Sequence, residues 1–263
     1  MPIQSSFGFR SLPQSEFREI AYIVVWKAIE VHRELIRFSK EPSFTKAMKI
    51  CLEDRARTEV PVTVVFENFS KTYYLDLVVD AGAIFELKKV ASINDKHRSQ
   101  LLHYLMLTNT SLGKLINFGK ETVDHEFVNS GRDLSLRQQF KVDRSRWRSD
   151  SDNDEFSDTL IGLLQDWGTG LDTNLYEEAV GTLINNRSET FLQTVPINFR
   201  NCIIGDFAVP TLTRNRAFSI TAMNSNSASH FENQLHTLLA QTDIKMINWA
   251  NIHGGVVNFV SIS

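Results

Sequence analysis

Two acidic residues and a lysine interrupt the apolar stretches of the segment YLDLVVDAGAIFELKKV, residues 74–90. Asp76 lies within one apolar run, and Glu86 and Lys88 lie on either side of Leu87 in the next run. Because an unpaired charge is costly to bury, each side chain must be exposed, paired or bound to another group. Side chains alternate along a strand, so the spacing predicts that Glu86 and Lys88 project from the same face.

The turn residues AGA connect two predicted strands, so a hairpin can bring Asp76 close to Glu86 and Lys88. Two carboxylates beside a lysine form a site for a hard cation such as Mg²⁺, which takes oxygen ligands and substrate phosphate. The lysine can then orient or help to deprotonate an attacking water while offsetting charge on the phosphate. These residue types indicate metal-assisted phosphodiester hydrolysis. A surface hairpin with one salt bridge is the alternative, since a lone Glu-x-Lys motif is weak evidence.

The elements around this segment predict a mixed α/β fold. Their order is helix, helix, three strands, helix, strands, which differs from that of a doubly wound parallel sheet. No Gly-rich phosphate loop follows a strand, so a nucleotide-binding fold of that kind has no support. The predicted helices are 16–35, a segment beginning after Pro42, and 93–108 with Asn94 as N-cap; the predicted strands are 60–66, 72–79, 83–90, 113–119 and 125–129.

Six short blocks of the N-terminal half follow the order and spacing of a known family. The blocks are AIEVHREL, VPV, YLDLVVD, FELKKV, QLLHYL and LINFG, and they cover roughly residues 16–128. In these blocks the sequence resembles the bacterial GxxExxY proteins, which belong to the PD-(D/E)XK nuclease-like superfamily. The resemblance implies a mixed sheet flanked by helices and a divalent-metal phosphodiesterase site that acts on nucleic acid.

The resemblance also implies a set of metal ligands. Asp76 and Glu86 match the metal-binding acids of the superfamily, and Glu41 falls at the glutamate of GxxExxY. The carbonyl of Leu87 is a further candidate ligand, because it lies between the two motif side chains. The implied cofactor is Mg²⁺ or Mn²⁺.

Two further residues are assigned to catalysis by the resemblance, and three histidines invite a metal interpretation. Lys88 matches the catalytic lysine, and Gln100 matches a glutamine near the scissile phosphate. His32 lies in a helical stretch and is interpreted as a packed or edge residue. His97 and His103 lie on the helix that carries Gln100; His97 can approach a phosphate, with a capping or structural role as the alternative.

The motif that names the family is altered in this sequence. The segment FSKEPSF has Phe38 in place of the glycine and Phe44 in place of the tyrosine. The lost glycine predicts a different turn before the second helix, and the lost hydroxyl removes a hydrogen-bonding group. Both acids and the lysine are retained. The prediction is therefore an intact active site with a changed loop on the substrate side.

The C-terminal part repeats several of these blocks without the acids. TGLDTNLYEEAV resembles GxxExxY with Gly170 and Tyr176 present, but Thr173 stands at the position of the glutamate. Further parallels are VPINF with VPVTVVF, AFSITAM with IFELKKV, HFENQLHTLL with HRSQLLHYL, and MINWA with LINFG. In this register the matched pairs are Glu86 with Ser219, Lys88 with Thr221, Gln100 with Asn233, and Asp76 with a position near Val209.

The blocks predict a domain order. We expect a nuclease-like domain at 1–130, a charged linker at 131–155, and a degenerate nuclease-like repeat without an active site at 156–263. The linker prediction rests on the basic stretch from Arg132 to Arg148 followed by DSDNDE; a basic arm that touches phosphates is the alternative. Chance similarity between two α/β halves is the alternative to the repeat. A true duplication would make the monomer a pseudo-dimer with one active and one silent half.

Composition excludes several classes of protein. The 263 residues are 42% hydrophobic and 22% charged, which are values for a globular chain. The formal net charge of -3 gives no attraction of the whole molecule to nucleic acid, so any attraction must come from a local patch. Cys51 and Cys202 lie too far apart in sequence to indicate a disulfide framework or a cysteine zinc site. No signal-peptide core or membrane-spanning run is found, so we expect a cytoplasmic protein without membrane contact.

Two functions follow as hypotheses. The first is a Mg²⁺- or Mn²⁺-dependent nuclease-like phosphodiesterase that acts on nucleic acid, with DNA favoured over RNA. The second is a catalytically weak or inactive nucleic-acid-binding or accessory module that retains the nuclease fold. The altered FSKEPSF segment, the silent second half and the acidic net charge favour the second hypothesis. A subunit that needs another protein for its substrate is a third hypothesis.

Overall fold

A computed structural model of the chain describes residues 3–5, 7–35, 39–131, 133–184 and 191–263. The chain divides into two compact units. The first unit consists of Met1–Val65 and Ser70–Leu134, and the second consists of Phe66–Phe69 and Ser135–Ser263.

The first unit is a mixed sheet with helices. Its elements in chain order are β1 (Ile3–Gln4), α1 (Gln14–Glu34), α2 (Glu41–Leu52), a short 3-10 turn (Glu53–Arg55), β2 (Ala56–Phe66), β3 (Phe69–Val79), β4 (Ala83–Lys88), α3 (Asp95–Leu107), β5 (Leu112–Asn117) and β6 (Asp124–Asn129). The strands lie in the order β1-β2-β3-β4-β5-β6. The pair β4–β5 is parallel, and β1–β2, β3–β4 and β5–β6 are antiparallel.

This order confirms the predicted mixed α/β class. A parallel pair needs a crossover connection, and α3 supplies it between β4 and β5. The predicted helices and strands of the first unit are all present, with boundaries that differ by a few residues. The fold is therefore a mixed sheet with helices and not a doubly wound parallel sheet.

Helix α1 lies on one face of the sheet because its apolar residues recur at three- and four-residue steps. Its buried side chains include Phe17, Val24 and Val31, which join one core with residues of α2 and the sheet. Phe85 and Leu87 of β4 belong to the same core. Side chains alternate along a strand, so Glu86 must project from the opposite face of β4.

Helix α3 begins at the predicted cap. The side chain of Asn94 accepts hydrogen bonds from the N–H groups of Lys96 and His97, and His97 Nδ1 accepts one from the N–H of Asn94. This reciprocal arrangement satisfies backbone donors that a helix N-terminus leaves open. Gly113 of β5 allows close packing of α3, since a Cβ there would lie 3.1 Å from the side chain of Leu101.

The second unit contains a second sheet with helices. From Leu134 onward the elements are α4 (Leu134–Arg137), β7 (Lys141–Arg146), α5 (Ser151–Trp167), α6 (Thr173–Ile184), β8 (Leu192–Phe199), β9 (Cys202–Thr213), β10 (Arg216–Thr221), α7 (Ser225–Gln241), β11 (Met246–His253) and β12 (Val256–Ile262). The strand order is β7-β12-β11-β10-β9-β8. The pairs β10–β11 and β12–β7 are parallel, and the other neighbours are antiparallel.

The two units share one order of elements and one order of strands. The series α5, α6, β8, β9, β10, α7, β11, β12 repeats the series α1, α2, β2, β3, β4, α3, β5, β6. The repeated strands are adjacent in the same sequence, and the parallel pair follows the third strand in both sheets. Strand β1 extends the first sheet beside β2. Strand β7 extends the second sheet at the other edge, beside β12, which corresponds to β6.

The segment predicted to be a charged linker, 131–155, must be corrected. It contains β7, which pairs with β12, and the start of α5 at Ser151. All residues of β7 are exposed, and Arg144 and Arg146 form ion pairs with Asp158 and Glu232. Charged side chains on an edge strand discourage pairing with other chains, which explains why the strand has the composition of a linker. Arg132, where the basic stretch begins, lies outside the described residues.

Candidate active site

Strands β3 and β4 separate at the point where the acidic residues lie. Their pairing covers Leu77 to Val79 on β3, and Leu77 lies opposite Phe85. Beyond this pair, the N–H of Leu87 donates a hydrogen bond to Asp76 Oδ2 over 2.8 Å. The carboxylate of Asp76 thus satisfies a backbone donor of β4 where the strand pairing ends.

Glu86 and Lys88 form an ion pair, as their spacing on one strand predicts. Lys88 Nζ donates to Glu86 Oε1 over 2.5 Å. The side chain of Glu86 is fully buried, whereas 13% of the Lys88 side chain is exposed. Glu86 Oε2 is also buried and has no hydrogen-bond partner among the described residues. One carboxylate oxygen of this site is therefore held in the protein interior with its lone pairs unused.

The electrostatics of the site disfavour negative charge on both acids. Burial raises the pKa of Glu86 to about 8, and the nearby carboxylate of Asp76 adds to the rise, while Lys88 opposes it. Burial also raises the pKa of Asp76 above its ordinary value, although the N–H of Leu87 and the Lys88 ammonium oppose the rise. A cation placed between the two carboxylates would reverse both effects.

Lys88 keeps its proton in this environment. Burial by itself would lower the pKa of Lys88, but Glu86 at ion-pair distance raises it, and Asp76 and Glu41 add to the rise. The net direction is upward, so the group is an ammonium ion at neutral pH. It can donate hydrogen bonds to water or phosphate, but it is a poor proton acceptor.

Glu41 lies near the acid pair but bonds to the backbone. It is the first residue of α2, and its Oε2 accepts a hydrogen bond of 2.8 Å from the N–H of Lys89. Its charge contributes to the raised pKa of Asp76 and of Glu86. In the part of the chain that the structure describes, no three His, Cys, Asp or Glu residues converge as ready ligands for one metal ion.

Gln100 contacts Tyr104, a residue that the sequence reasoning missed and that senses the charges of the acid pair. Gln100 Nε2 donates to the hydroxyl of Tyr104 over 3.1 Å. Burial raises the pKa of Tyr104, the bond from Gln100 opposes the rise, and the charges of Glu86 and Asp76 add to it. The four-residue spacing from Gln100 places Tyr104 on the same face of α3, which is the signal that could have identified it.

The altered GxxExxY tyrosine position lies in the core. Phe44 is almost completely buried, and its ring stacks on that of Phe118 with centroids 4.5 Å apart. A hydroxyl at this position would need a hydrogen-bond partner within an apolar cluster, which accounts for phenylalanine there. Phe38, at the position of the lost glycine, lies outside the described residues.

The three histidines make packing and capping contacts. His32 stacks on Phe118, and its Nε2 lies 3.0 Å from the carbonyl oxygen of Lys120. His97 belongs to the N-cap of α3. His103 is buried against the ring of Tyr73 at 4.8 Å. These contacts agree with the interpretation of His32 as a packed residue and of His97 as a capping residue.

The residues of the acid pair fit a divalent cation. Glu86 Oε2 is a buried carboxylate oxygen without a partner in the described part of the chain, and Asp76 uses one of its oxygens for the N–H of Leu87. Mg²⁺ commonly takes one or two protein carboxylates and completes its shell with water and substrate phosphate. A pair of acids with a free buried oxygen therefore meets the requirement without a third carboxylate.

The second unit has the same strand register but different side chains. In the first unit, Glu86 lies beside Leu115 across the β4–β5 pair. In the second unit, Ser219 lies beside Trp249 across β10–β11. The register therefore aligns Leu115 with Trp249, three positions away from the alignment of LINFG with MINWA. That alignment was wrong, because short apolar strands can be shifted without changing their pattern.

One polar arrangement is the same in both sheets. Asn117 accepts a hydrogen bond from the N–H of Val90 at 2.9 Å and donates one to its carbonyl at 2.8 Å. Asn251 makes the same two bonds with Met223, at 2.8 Å and 2.9 Å. Val90 follows Phe85 by five residues and Met223 follows Phe218 by five residues, so the bonds connect corresponding positions.

A carboxylate that the sequence reasoning missed lies beside Ser219. Glu177 Oε1 accepts a hydrogen bond of 2.8 Å from the N–H of Ile220, which corresponds to Leu87 in the first unit. Burial raises the pKa of Glu177, and the bonds from Ile220 and Ser219 oppose the rise. Glu177 comes from α6, so it satisfies from a helix the same backbone donor that Asp76 satisfies from a strand.

The space next to Ser219 is mainly apolar. A cavity of about 440 Å³ adjoins Glu177 and Ser219, and its other lining residues include Val209, Phe207 and Phe231. The β9–β10 register pairs Ala217 with Thr211 and, continued by two residues, brings Val209 opposite Ser219. Apolar side chains therefore lie where the first unit has Asp76.

Comparison with known families gives a match for the first unit. Residues 18–129, less than half of the chain, match a family model described as the PD-(D/E)XK nuclease superfamily, and this part of the chain is similar to that superfamily. Nucleases of this superfamily generally use divalent metal ions. The narrower resemblance to GxxExxY proteins stays a prediction. A search of curated proteins found no match. Among the described residues, no helix is both long and apolar enough to cross a membrane.

Proposed function

We propose that the first unit is a divalent-metal-dependent phosphodiesterase that cleaves nucleic acid, with DNA preferred over RNA. The observation that carries the proposal is the buried Glu86 Oε2, which has no partner among the described residues and lies in a cluster with Asp76 and Lys88. Burying such a group without compensation is costly, so its retention in a unit similar to the nuclease superfamily supports a role in holding a cation.

In this proposal Asp76 and Glu86 hold Mg²⁺ or Mn²⁺, and the carbonyl of Leu87 is a further candidate ligand. A bound divalent ion supplies a nucleophilic water at neutral pH and offsets charge on the phosphate. Glu41 is the third acid of the site, and its bond to the N–H of Lys89 fixes the chain just after Lys88. This bond thus fixes the position of Lys88 relative to Asp76 and Glu86.

The proposed role of Lys88 is to orient water and phosphate and not to remove a proton. The support is the raised pKa of Lys88, which keeps the ammonium charged beside Glu86. An ammonium can donate to the attacking water and to a phosphate oxygen at the same time. Gln100, with the hydroxyl of Tyr104 at 3.1 Å, is proposed to hold the phosphate from the side of α3.

A nucleic-acid-binding module without useful turnover is the second candidate. It is favoured by the ion pair of Lys88 with Glu86 Oε1, which occupies one of the carboxylate oxygens that a metal would use. It is also favoured by the lack, among the described residues, of three converging metal-ligating side chains. Such a module would bind nucleic acid equally well with and without the lysine.

A cleavage panel separates the two candidates. Supercoiled, linear and single-stranded DNA and RNA are incubated with Mg²⁺, Mn²⁺ or a chelator, and the products are resolved by electrophoresis. We expect metal-dependent cleavage of DNA that falls by about a hundredfold or more in Lys88→Ala, because a charged donor at the reacting centre is lost. Lys46→Ala, which removes an exposed cation of the same unit, is the matched control.

Two other results of this panel would contradict the proposal. Binding of nucleic acid without cleavage, unchanged in Lys88→Ala, would exclude the nuclease and support the binding module. Cleavage that is equal in Lys88→Ala and Lys46→Ala would remove Lys88 from the mechanism. Thermal unfolding of each variant shows whether it is folded before its activity is interpreted.

We also propose that the second unit is a degenerate copy of the first, without a metal site. The support is the shared order of elements and strands and the two asparagine arrangements at Val90 and Met223. Ser219 and Thr221 stand at the positions of the motif acid and lysine. The boundaries proposed from sequence shift accordingly, because the repeated elements begin with α5 at Ser151 and not at residue 156.

A further inference from the structure

A cavity lined by apolar, aromatic and basic side chains lies in the first unit, away from the acid pair. It has a volume of about 370 Å³ and lies between α1 and strands β5 and β6. Its basic lining residues are Arg18, Lys114 and His125. No acidic residue is among the described residues that line it. The volume falls within the roughly 300–1,000 Å³ typical of ligand pockets.

Among the described residues, no carboxylate forms an ion pair with Lys114 or Arg18. Lys114 Nζ lies 3.3 Å from His125 Nδ1, so the ammonium donates to a neutral imidazole and not to an acid. Arg18 makes no hydrogen bond or ion pair with any described residue. Lys114 is partly buried, so the lack of a counter-charge is unfavourable for it, whereas Arg18 is exposed to solvent. An anion in the cavity would satisfy Lys114 and Arg18 together.

Aromatic rings line the cavity next to these cations. The rings of Phe17 and Phe127 are in edge-to-face contact at 5.7 Å, and 43% of Phe127 is exposed. Tyr22 is 66% exposed and lies 6.4 Å from the half-exposed ring of Trp26. Exposed aromatic rings beside uncompensated cations are the combination that stacks a nucleobase and binds its phosphate.

The cavity is separate from the candidate active site. Lys114 lies beside Phe85 in the β4–β5 register, and the ring of Phe85 stacks on Phe17 of α1 at 5.9 Å. Lys114 and Phe85 therefore share the face of the sheet that α1 covers. Glu86 follows Phe85 and projects from the other face, because side chains alternate along a strand.

We propose that this cavity binds a nucleotide, with the phosphate at Lys114 and Arg18 and the base against Phe127 and Tyr22. The shared chemistry is a phosphate with an attached aromatic base. Its source is either a free nucleotide or one nucleotide of a strand; only the strand source rests on the proposed nuclease function. His125 assists by accepting a hydrogen bond from Lys114, which fixes the direction of the ammonium.

The test uses the full chain in the presence of a chelator, so that no cleavage occurs. Binding of adenosine monophosphate, adenosine, inorganic phosphate and a single-stranded DNA oligonucleotide is measured by calorimetry. We expect adenosine monophosphate to bind more tightly than adenosine or phosphate alone. Lys114→Met, which retains the apolar stem, should weaken this binding by about tenfold or more, since hydrogen bonds to charged groups are strong. Phe127→Leu should weaken the binding of adenosine monophosphate more than the binding of inorganic phosphate.

A control variant makes the result decisive. Lys46→Met removes an exposed cation elsewhere in the same unit and should leave the binding unchanged. The test measures binding in the presence of a chelator and not cleavage, so failure of the nuclease proposal does not affect its outcome. No binding of adenosine monophosphate, or equal binding by Lys114→Met and Lys46→Met, overturns the proposal.

The oligonucleotide distinguishes the two sources. Loss of both oligonucleotide and adenosine monophosphate binding in Lys114→Met assigns the cavity to a strand. Loss of adenosine monophosphate binding with oligonucleotide binding retained assigns it to a free nucleotide. Thermal unfolding of Lys114→Met in the absence of ligand confirms that the variant is folded.

Discussion

Glu86 is the residue at which folding and the proposed chemistry conflict most directly. Its side chain is fully buried, one oxygen bonds to Lys88, and the other has no partner among the described residues. Burial and Asp76 raise the pKa of Glu86 to about 8, so the folded protein binds a proton that an exposed glutamate would release. The same environment favours a divalent cation, which can replace that proton.

The raised pKa of Glu86 predicts a dependence of stability on pH. The pKa is near 4.5 in the unfolded chain and about 8 in the folded protein. The stabilising contribution is therefore fully present below pH 4.5 and is lost as the pH rises towards 8. The side chain in Glu86→Gln cannot ionise. The free energy of unfolding of this variant should therefore exceed that of the unmodified protein by an amount that grows over this window to roughly 1–3 kcal/mol.

Denaturant unfolding of both proteins with a chelator, at several pH values between 5 and 8, measures this difference. Burial and Lys114 lower the pKa of His125, but His125 is present in both proteins, so its contribution cancels in the comparison. If the free energies of unfolding of the two proteins differ by the same amount at every pH, Glu86 ionises normally. That result would remove the electrostatic argument for a cation at this site.

Metal binding should release protons from the same residue. Because the pKa of Glu86 is raised to about 8, we expect binding of Mn²⁺ near pH 7 to release protons from the site. Calorimetric titration in two buffers with different ionisation enthalpies should give different apparent binding enthalpies, and the difference should disappear in Glu86→Gln. Identical enthalpies in both buffers for the unmodified protein would contradict the assigned protonation state.

At the scale of elements, the end of β4 is held by side chains from three neighbouring elements. Asp76 of β3 bonds to the N–H of Leu87, Glu41 of α2 bonds to that of Lys89, and Asn117 of β5 bonds to both backbone groups of Val90. This set of bonds replaces the strand pairing that β3 no longer provides. It fixes the backbone around Lys88.

Replacement of one of these side chains should affect both stability and activity. Asn117 is fully buried, and Asn117→Ala would leave the N–H and carbonyl of Val90 unpaired. We expect destabilisation of about 2–4 kcal/mol, since each buried unsatisfied group costs about 1–3 kcal/mol. Mn²⁺ affinity and cleavage should also fall, because the chain next to Lys88 is no longer fixed.

Asn251→Ala is a matched control for this prediction. It removes the same two bonds at Met223 in the second unit, so a similar loss of stability is expected with no change in Mn²⁺ affinity. Denaturant unfolding and metal titration of both variants provide the comparison. Equal loss of Mn²⁺ affinity in the two variants would show that the asparagine at β5 has no special relation to the site.

The elements were predictable where side-chain patterns reflect burial. The period of α1 and the apolar strands identified the first unit, and the alternation along β4 identified the pairing of Glu86 with Lys88. Strand β7 was missed because all its residues are exposed, so it has no apolar period. Glu177 and the Asn117 arrangement were missed because their partners are backbone groups, which only the strand register brings close.

At the scale of the whole molecule, the described residues form two sheets of one topology, and the acid pair of Asp76 and Glu86 lies in the first. The second unit retains buried apolar side chains in the elements that it shares with the first unit, since apolar burial is what stabilises a domain. It has Ser219, Thr221 and Val209 where the first unit has Glu86, Lys88 and Asp76. Its carboxylate next to Ser219, Glu177, already accepts a hydrogen bond from the N–H of Ile220. A lone carboxylate beside apolar side chains is a poor site for Mg²⁺.

Metal binding by the whole chain should therefore depend on the first unit alone. Mn²⁺ that binds the folded state selectively raises the unfolding temperature. We expect Asp76→Ala and Glu86→Ala to abolish this rise, while Ser219→Ala with Thr221→Ala leaves it intact, because the second unit is proposed to hold no metal ion. Differential scanning calorimetry with and without Mn²⁺ measures the rise. A residual rise in Glu86→Ala that disappears on adding Glu177→Ala would place a metal ion in the second unit and refute its assignment as a silent copy.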